Sequence, residues 1–138
     1  MVLQIQEQEK INKVVRILKE SKSILFITGA GISADSGLPT YRGIGGLYND
    51  KATEEGIPIE MALAGETLKS HPSITWKYLS QIEKNCRNAK FNRAHEVIAE
   101  MEKSFERVWV ITQNIDGFHR CAGSRNLIEI HGNMHKLF

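Results

Sequence analysis

Ser23-Ile24-Leu25-Phe26-Ile27-Thr28-Gly29-Ala30-Gly31-Ile32-Ser33-Ala34 is the stretch on which the fold turns. Its first six residues form a short apolar run that stops at a glycine, the pattern of a buried strand. Residues 29–34 then fit G-x-G-x-x-G/A. That spacing answers a physical demand. The chain must turn tightly, bring its backbone close to a pyrophosphate, and open a helix whose free N–H groups face the anion. Taken alone, the pattern fits a purely structural strand-to-helix turn as well.

Upstream, residues 5–21 read as an amphipathic helix, with Ile11, Val14, Val15 and Leu18 at helical spacing. Downstream, periodicity is weak to about residue 66. Gly43, Gly45, Gly46 and Gly56 make that stretch the expected mobile loop. Two helices are predicted next. One covers about 74–86, with Thr75, Tyr78, Leu79, Ile82 and Cys86 on one side. The other covers about 92–105, with Ala94, Val97, Ile98, Met101 and Phe105 in register. A second strand over 107–112, a short helix over 115–122 and a third strand over 126–130 come after them, the last ending at His131-Gly132.

Strands alternating with helices predict an α/β fold. The expected form is an incomplete Rossmann-like parallel sheet with helices on both faces and a helical insertion after the first strand. It forms one domain over residues 1–138, with the loop and helical insertion at about 44–90. Ligands of such sheets bind outside the carboxyl ends of the strands. All three predicted strands end in chemically capable residues: 29–33, 113–116 and His131. A parallel sheet would gather them on one rim.

Composition narrows the function classes. The chain has 138 residues, 41% hydrophobic and 25% charged, the profile of a globular domain. A net charge of +2 gives no argument for direct nucleic-acid or membrane binding. Cys86 and Cys121 are far apart, so neither a disulfide framework nor a cysteine zinc site is expected here. The N-terminus lacks a secretory h-region and no apolar run is long enough to cross a bilayer. The expected compartment is the reducing cytoplasm, or the nucleus where the source has one.

The residues after the glycine loop separate it from that of a hydride-transferring dehydrogenase. Such an enzyme places an acidic residue about 20 positions on, at the end of a second strand. Asp50 lies near that distance, but no strand precedes it. Pro39 disfavours a helix there, and Arg42 stands beside the loop, either to pair with phosphate or as a solvated arginine.

Three motifs together resemble the sirtuin family. GAGISADSGLPTYRG at 29–43 is similar to its GAGxSxxSGxPxFR stretch, and TQNIDGFHRCAG at 112–123 to its TQNxDxLHxxAG stretch. LIEIHGN at 127–133 is similar to the strand that ends in its catalytic His-Gly. The resemblance implies an NAD-dependent protein-lysine deacylase, with deacetylation the first expectation. Such an enzyme moves the acyl group of a protein or peptide substrate to ADP-ribose and releases nicotinamide. On this sequence it implies cofactor contacts from Gly29, Ala30, Gly31, Ser33, Thr40, Tyr41 and Arg42, with the loop through Tyr48 closing over NAD. Gln113, Asn114, Ile115 and Asp116 would line the ribose and nicotinamide pocket. His131 would act as general base and Asn114 beside it in catalysis. Imidazole suits a base at neutral pH.

Simpler readings stand beside these. Asn114 also fits an N-cap of the short helix, Asp116 a first-turn carboxylate, and His131 a plain loop histidine. His131 and His135 are four apart, but Gly132 argues against a helical metal pair, and no metal site is expected. His95 and His119 are expected in structural or surface roles, and Trp76 and Trp109 in the core.

There are departures from the family pattern. Thr40-Tyr41-Arg42 stands where the family usually has Asp-Phe-Arg. Family subgroups that remove dicarboxylic acyl groups carry a Tyr and an Arg three apart on a helix. Residues 78–82 here lack that pair, which points to acetyl or another uncharged acyl group. The family's zinc module and the second half of its sheet lie beyond the motifs found here. Weak or no activity of these 138 residues alone is therefore expected, as is an exposed sheet edge that could pair with another chain. The alternatives are a non-catalytic NAD-binding or interaction fragment, an ADP-ribosyltransferase and, more distantly, a dehydrogenase.

Overall fold

The computed structural model describes residues 5–38 and 53–136. The elements run α1 (Ile5–Glu20), β1 (Ser23–Thr28), a 3-10 helix (Ala30–Ser36), α2 (Ile59–Ala62) and α3 (Gly65–Ser70). They continue with α4 (Pro72–Cys86), α5 (Arg93–Met101), β2 (Arg107–Thr112), α6 (Phe118–Cys121) and β3 (Leu127–Glu129). The three strands form one parallel sheet in the order β1-β2-β3. Thr28 pairs with Thr112, and Thr112 with Glu129. The strands therefore finish level, and the segments after them share one rim.

The middle strand shows what holds the sheet. Val108 and Val110 are 1% and 0% exposed, and Thr112 is buried on the same face. His119 of α6 reaches Thr28 on that face, and Ile98 and Ala99 of α5 and Phe118 of α6 are buried as well. Fully burying one such aliphatic side chain contributes about 1.5–3 kcal/mol. The opposite face presents Leu25, Ile27, Trp109 and Ile128, all exposed. The continuous apolar strands predict cover on two sides, and the described residues supply one. Trp109, expected in the core, stands on the open face, and Trp76 is also exposed. Helix α1 has the predicted periodicity, but none of its residues is buried.

Element bounds differ from expectation for local reasons. Helix α4 starts at Pro72, two residues early, because proline fits the first helical position. Helix α5 ends at Met101 rather than 105, and the chain turns through residues 102–104 to enter β2. Helix α6 begins only at Phe118, because Gly117 takes a left-handed conformation at φ 73°. The stretch expected as loop to residue 66 contains α2 and the start of α3. Gly43, Gly45 and Gly46 lie outside the described residues. Helix α4 is tied back to the insertion by Lys77, which bridges Glu54 and Glu55, and by the Tyr78 hydroxyl, which donates to Glu55. Lys77 and then Tyr78 hold the Glu55 carboxyl down at about 2.

Candidate functional site

The rim is built from three strand ends. After β1, the Gly29 carbonyl accepts from Ile32 N–H at 3.2 Å and starts a 3-10 helix, where the sequence pattern predicts an ordinary helix N-terminus. That helix ends at Gly37, in a left-handed conformation at φ 82°. A Cβ added at Gly29 or Gly31 would meet nothing within 4 Å, and neither residue has a positive φ. Neither packing nor backbone conformation thus requires glycine at these two positions. Their lack of side chains leaves open space before the loop, as a phosphate needs.

After β2, Asn114 and Asp116 are buried polar residues, 5% and 7% exposed. Asn114 Nδ2 donates to the Gly29 carbonyl at 3.1 Å and to Ser33 Oγ at 3.2 Å. Ser33 Oγ in turn donates to Asp116 Oδ2 at 2.7 Å. Asp116 Oδ1 accepts the Phe118 N–H at 2.9 Å. The bonds from Ser33 and Asn114 join residues 81 to 85 positions apart in sequence and lock the glycine loop to the end of β2. Both amide hydrogens of Asn114 are committed, so among the described residues Oδ1 is the side-chain atom it can offer a ligand. Asn114 does not cap α6, which starts four residues later. Asp116, one residue before the N-cap Gly117, accepts the Phe118 N–H with one oxygen while its other oxygen serves the network. Gln113 is exposed, and its N–H reaches the Thr28 carbonyl.

After β3, Ile130 N–H still bonds the Thr112 carbonyl at 3.1 Å, so the strand stays aligned up to the residue before His131. His131 is exposed on the same rim, beyond Gln113 and Asn114 as seen from the glycine loop. Met134 N–H bonds the Ile115 carbonyl and ties the turn after β3 to the end of β2. His135 Nε2 lies 3.2 Å from the Asp116 carbonyl. Among the described residues no group of three or more side chains is placed to hold a metal ion.

The site residues predicted from sequence therefore separate into two groups. Gly29, Ala30, Gly31, Ser33, Gln113, Asn114, Ile115, Asp116 and His131 gather along one rim. Within that set, Ser33, Asn114 and Asp116 form one bonded network, whereas His131 stands apart from it. Thr40, Tyr41, Arg42 and Tyr48 lie outside the described residues.

Three supporting residues were not singled out as site residues. Asn92 caps α5 by accepting from Ala94 N–H, and its Nδ2 donates to the Ile32 carbonyl at 2.7 Å and to Ser36 Oγ at 3.1 Å. It thereby braces the 3-10 helix from behind. An asparagine ahead of an apolar periodic run is a readable cap signal, but its reach across 60 residues is not. His119 Nε2 lies 2.9 Å from Thr28 Oγ1, and the His119 ring meets that of His95 edge-on with centroids 4.9 Å apart. Both rings are buried. Burial, then the neighbouring His95, pushes His119 down to about 4 against the pull of Asp116 and Glu129. These two histidines are neutral core groups beneath the rim.

Comparison with known proteins agrees with this geometry. The model of the Sir2 family matches residues 29–138. NAD-dependent protein deacylase 2 of Pseudomonas aeruginosa is 55% identical over 130 residues, covering 93% of this chain and 50% of that protein. A solved Sir2 homologue in complex with ADP ribose superposes with a TM-score of 0.76 at 37% identity, covering 88% of this chain and 46% of that one. A Sir2 structure with deacetylated p53 peptide and 3'-O-acetyl ADP ribose gives a TM-score of 0.79 at 33% identity, covering 90% and 48%. The chain thus spans about half the length of the relatives it matches. The match of family model, sequence and backbone over the residues that build the rim establishes that the chain belongs to the Sir2 family.

Proposed function

We propose that this chain carries the NAD-binding rim and the general base of an NAD-dependent protein-lysine deacylase. The observation that carries the reading is the Ser33-Asn114-Asp116 network at the end of β2, with the open glycine loop on one side and His131 on the other. NAD fits the residues present: unobstructed backbone at Gly29 and Gly31 for the diphosphate, and Asn114 Oδ1 with exposed Gln113 for ribose or carboxamide. Bound there, NAD supplies an electrophilic sugar carbon and a neutral leaving group, nicotinamide.

The protein's own work is then positioning and proton transfer. Ser33 and Asp116 hold Asn114 in one orientation, so its free oxygen is aimed before the ligand arrives. The exposed His131 imidazole would accept a proton from a ribose hydroxyl and so make that oxygen nucleophilic. Ile115 and the turn around Met134 place apolar surface beside that base, where water is less welcome. In this reading Arg42 would add a phosphate contact, Thr40 and Tyr41 further contacts to NAD, and the loop through Tyr48 would close over it.

The test uses the protein expressed from its complete reading frame, with NAD and an acetyl-lysine peptide. Nicotinamide release is expected, with the acetyl group recovered on ADP-ribose by mass spectrometry. His131→Ala should lower turnover at least about a hundredfold while NAD still binds. NAD binding with no nicotinamide release by the unmodified protein would make it a binding module. ADP-ribose on the peptide would make it a transferase.

A further inference from the structure

His131 is exposed, and among the described residues no side-chain hydrogen bond holds its imidazole. Its place on the rim is therefore set by the backbone that carries it. That backbone is closed twice by Glu129, the last residue of β3. The Glu129 carbonyl accepts the Gly132 N–H at 3.1 Å, which makes 129–132 a turn with His131 as its third residue. The Glu129 carboxylate then closes a wider ring, because its Oε1 accepts from Asn133 Nδ2 at 2.6 Å. Its Oε2 accepts from Arg120 of α6 at 2.8 Å. The Glu129 side chain is only 10% exposed, so both carboxylate oxygens depend on these donors. Asn133 carries the constraint further. Its Oδ1 accepts the His135 N–H at 2.9 Å, and His135 Nε2 lies 3.2 Å from the Asp116 carbonyl. Gly117 leaves room for this arrangement, since a Cβ there would stand 3.0 Å from Asn133 Nδ2. The turn under His131 is thus braced against α6 and against the segment that follows Asn114.

We infer that Glu129 and Asn133 are positioning residues for His131, their side-chain bond fixing the turn on which the imidazole stands. The inference rests on the deacylase reading. A base that no side chain orients has its reach set by its backbone, and a misplacement of about 1 Å can slow a reaction about a hundredfold. The charge of Glu129 is met by Arg120, so the clamp works through geometry. It shares no bond with the glycine loop or with the contacts among Ser33, Asn114 and Asp116 side chains, so NAD binding should survive its loss.

The experiment uses the protein from its complete reading frame, with NAD and an acetyl-lysine peptide. Asn133→Asp keeps the side chain's shape, removes the donor and sets a second carboxylate against Glu129. It should lower kcat at least about tenfold, with KM for NAD and calorimetric NAD affinity within about twofold of the parent. Combining Asn133→Asp with Glu129→Gln restores one donor and one acceptor in reversed order and leaves an oxygen for Arg120. This double variant should recover kcat to within about threefold of the parent. A circular-dichroism melt checks folding, and Asn133→Ala repeats the test where Asn133→Asp does not fold. An unchanged kcat in the folded single variant, an equal loss of kcat and NAD affinity, or a double variant no better than the single one would overturn the clamp while leaving the deacylase reading intact. No turnover by the unmodified protein would remove that reading, and the clamp's role with it.

Discussion

At the scale of single residues, the glycine loop separates folding from binding. Gly31 has no positive φ, and an added Cβ would touch nothing within 4 Å. Gly31→Ala should therefore leave unfolding free energy within about 0.5 kcal/mol of the parent, as expected of an uncrowded site. In the proposed NAD-binding reading the same methyl would stand where the diphosphate approaches the backbone, so NAD affinity should fall at least about tenfold. Denaturant melts and calorimetry with NAD measure the two effects independently, and a loss of stability equal to the loss of binding would refute the separation. His119 makes a prediction in pH. Its folded-state pKa lies near 4, below the ordinary 6.5, so between those values the unfolded chain binds a proton that the native chain does not. The stability that neutral His119 contributes is complete above about pH 6.5 and is lost as pH falls towards 4. Full loss is on the order of 3 kcal/mol. Burial lowers His95 in the same direction. Urea unfolding at about pH 7, 5.5 and 4.5 should show the decline, and His119→Gln should flatten it.

At the scale of elements, the sequence revealed most of what local physics controls. The apolar runs of β1 and β2 were legible because strand and turn signals coincide at Thr28-Gly29 and Thr112-Gln113. The convergence of three motifs came from parallel pairing alone. Less legible was anything decided by a partner far along the chain. The bond from Ser33 to Asp116 spans 83 residues, and neither residue advertises the other. The shortened α6 reflects one left-handed glycine, Gly117, which a helical pattern over 115–122 conceals. Asn92 shows both halves of the lesson: its capping of α5 is written locally, while its bonds to the 3-10 helix are not. Asn92→Ala should accordingly cost more than an ordinary cap, about 2–3 kcal/mol against the usual ~1. It should also weaken NAD binding by loosening the 3-10 helix after Gly29. Thermal melts with and without NAD check this, and a cost of about 1 kcal/mol with unchanged affinity would reduce Asn92 to a simple cap.

At the scale of the whole molecule, the distribution of apolar surface has its own consequence. One face of the sheet buries Val108 and Val110, while the other displays Leu25, Ile27, Trp109 and Ile128, between 45% and 70% exposed. Ile11, Val14 and Val15 of α1 are exposed as well. A contiguous apolar face of this kind drives association when nothing covers it. Leu25, Ile27 and Ile128 also lie on the outer strands of a sheet with free edges among the described residues. The polypeptide of residues 1–138, prepared alone, should therefore self-associate with rising concentration in sedimentation velocity. Ile27, at 70% exposure, is the most open position on that face and tolerates a charge most readily. Ile27→Lys should shift the population towards monomer without lowering the melting temperature by more than a few degrees, because the buried side of the sheet is untouched. A strictly monomeric parent would show that this surface is not adhesive. Unfolding of the Ile27→Lys variant would show that the face is buried in solution by the chain's own contacts.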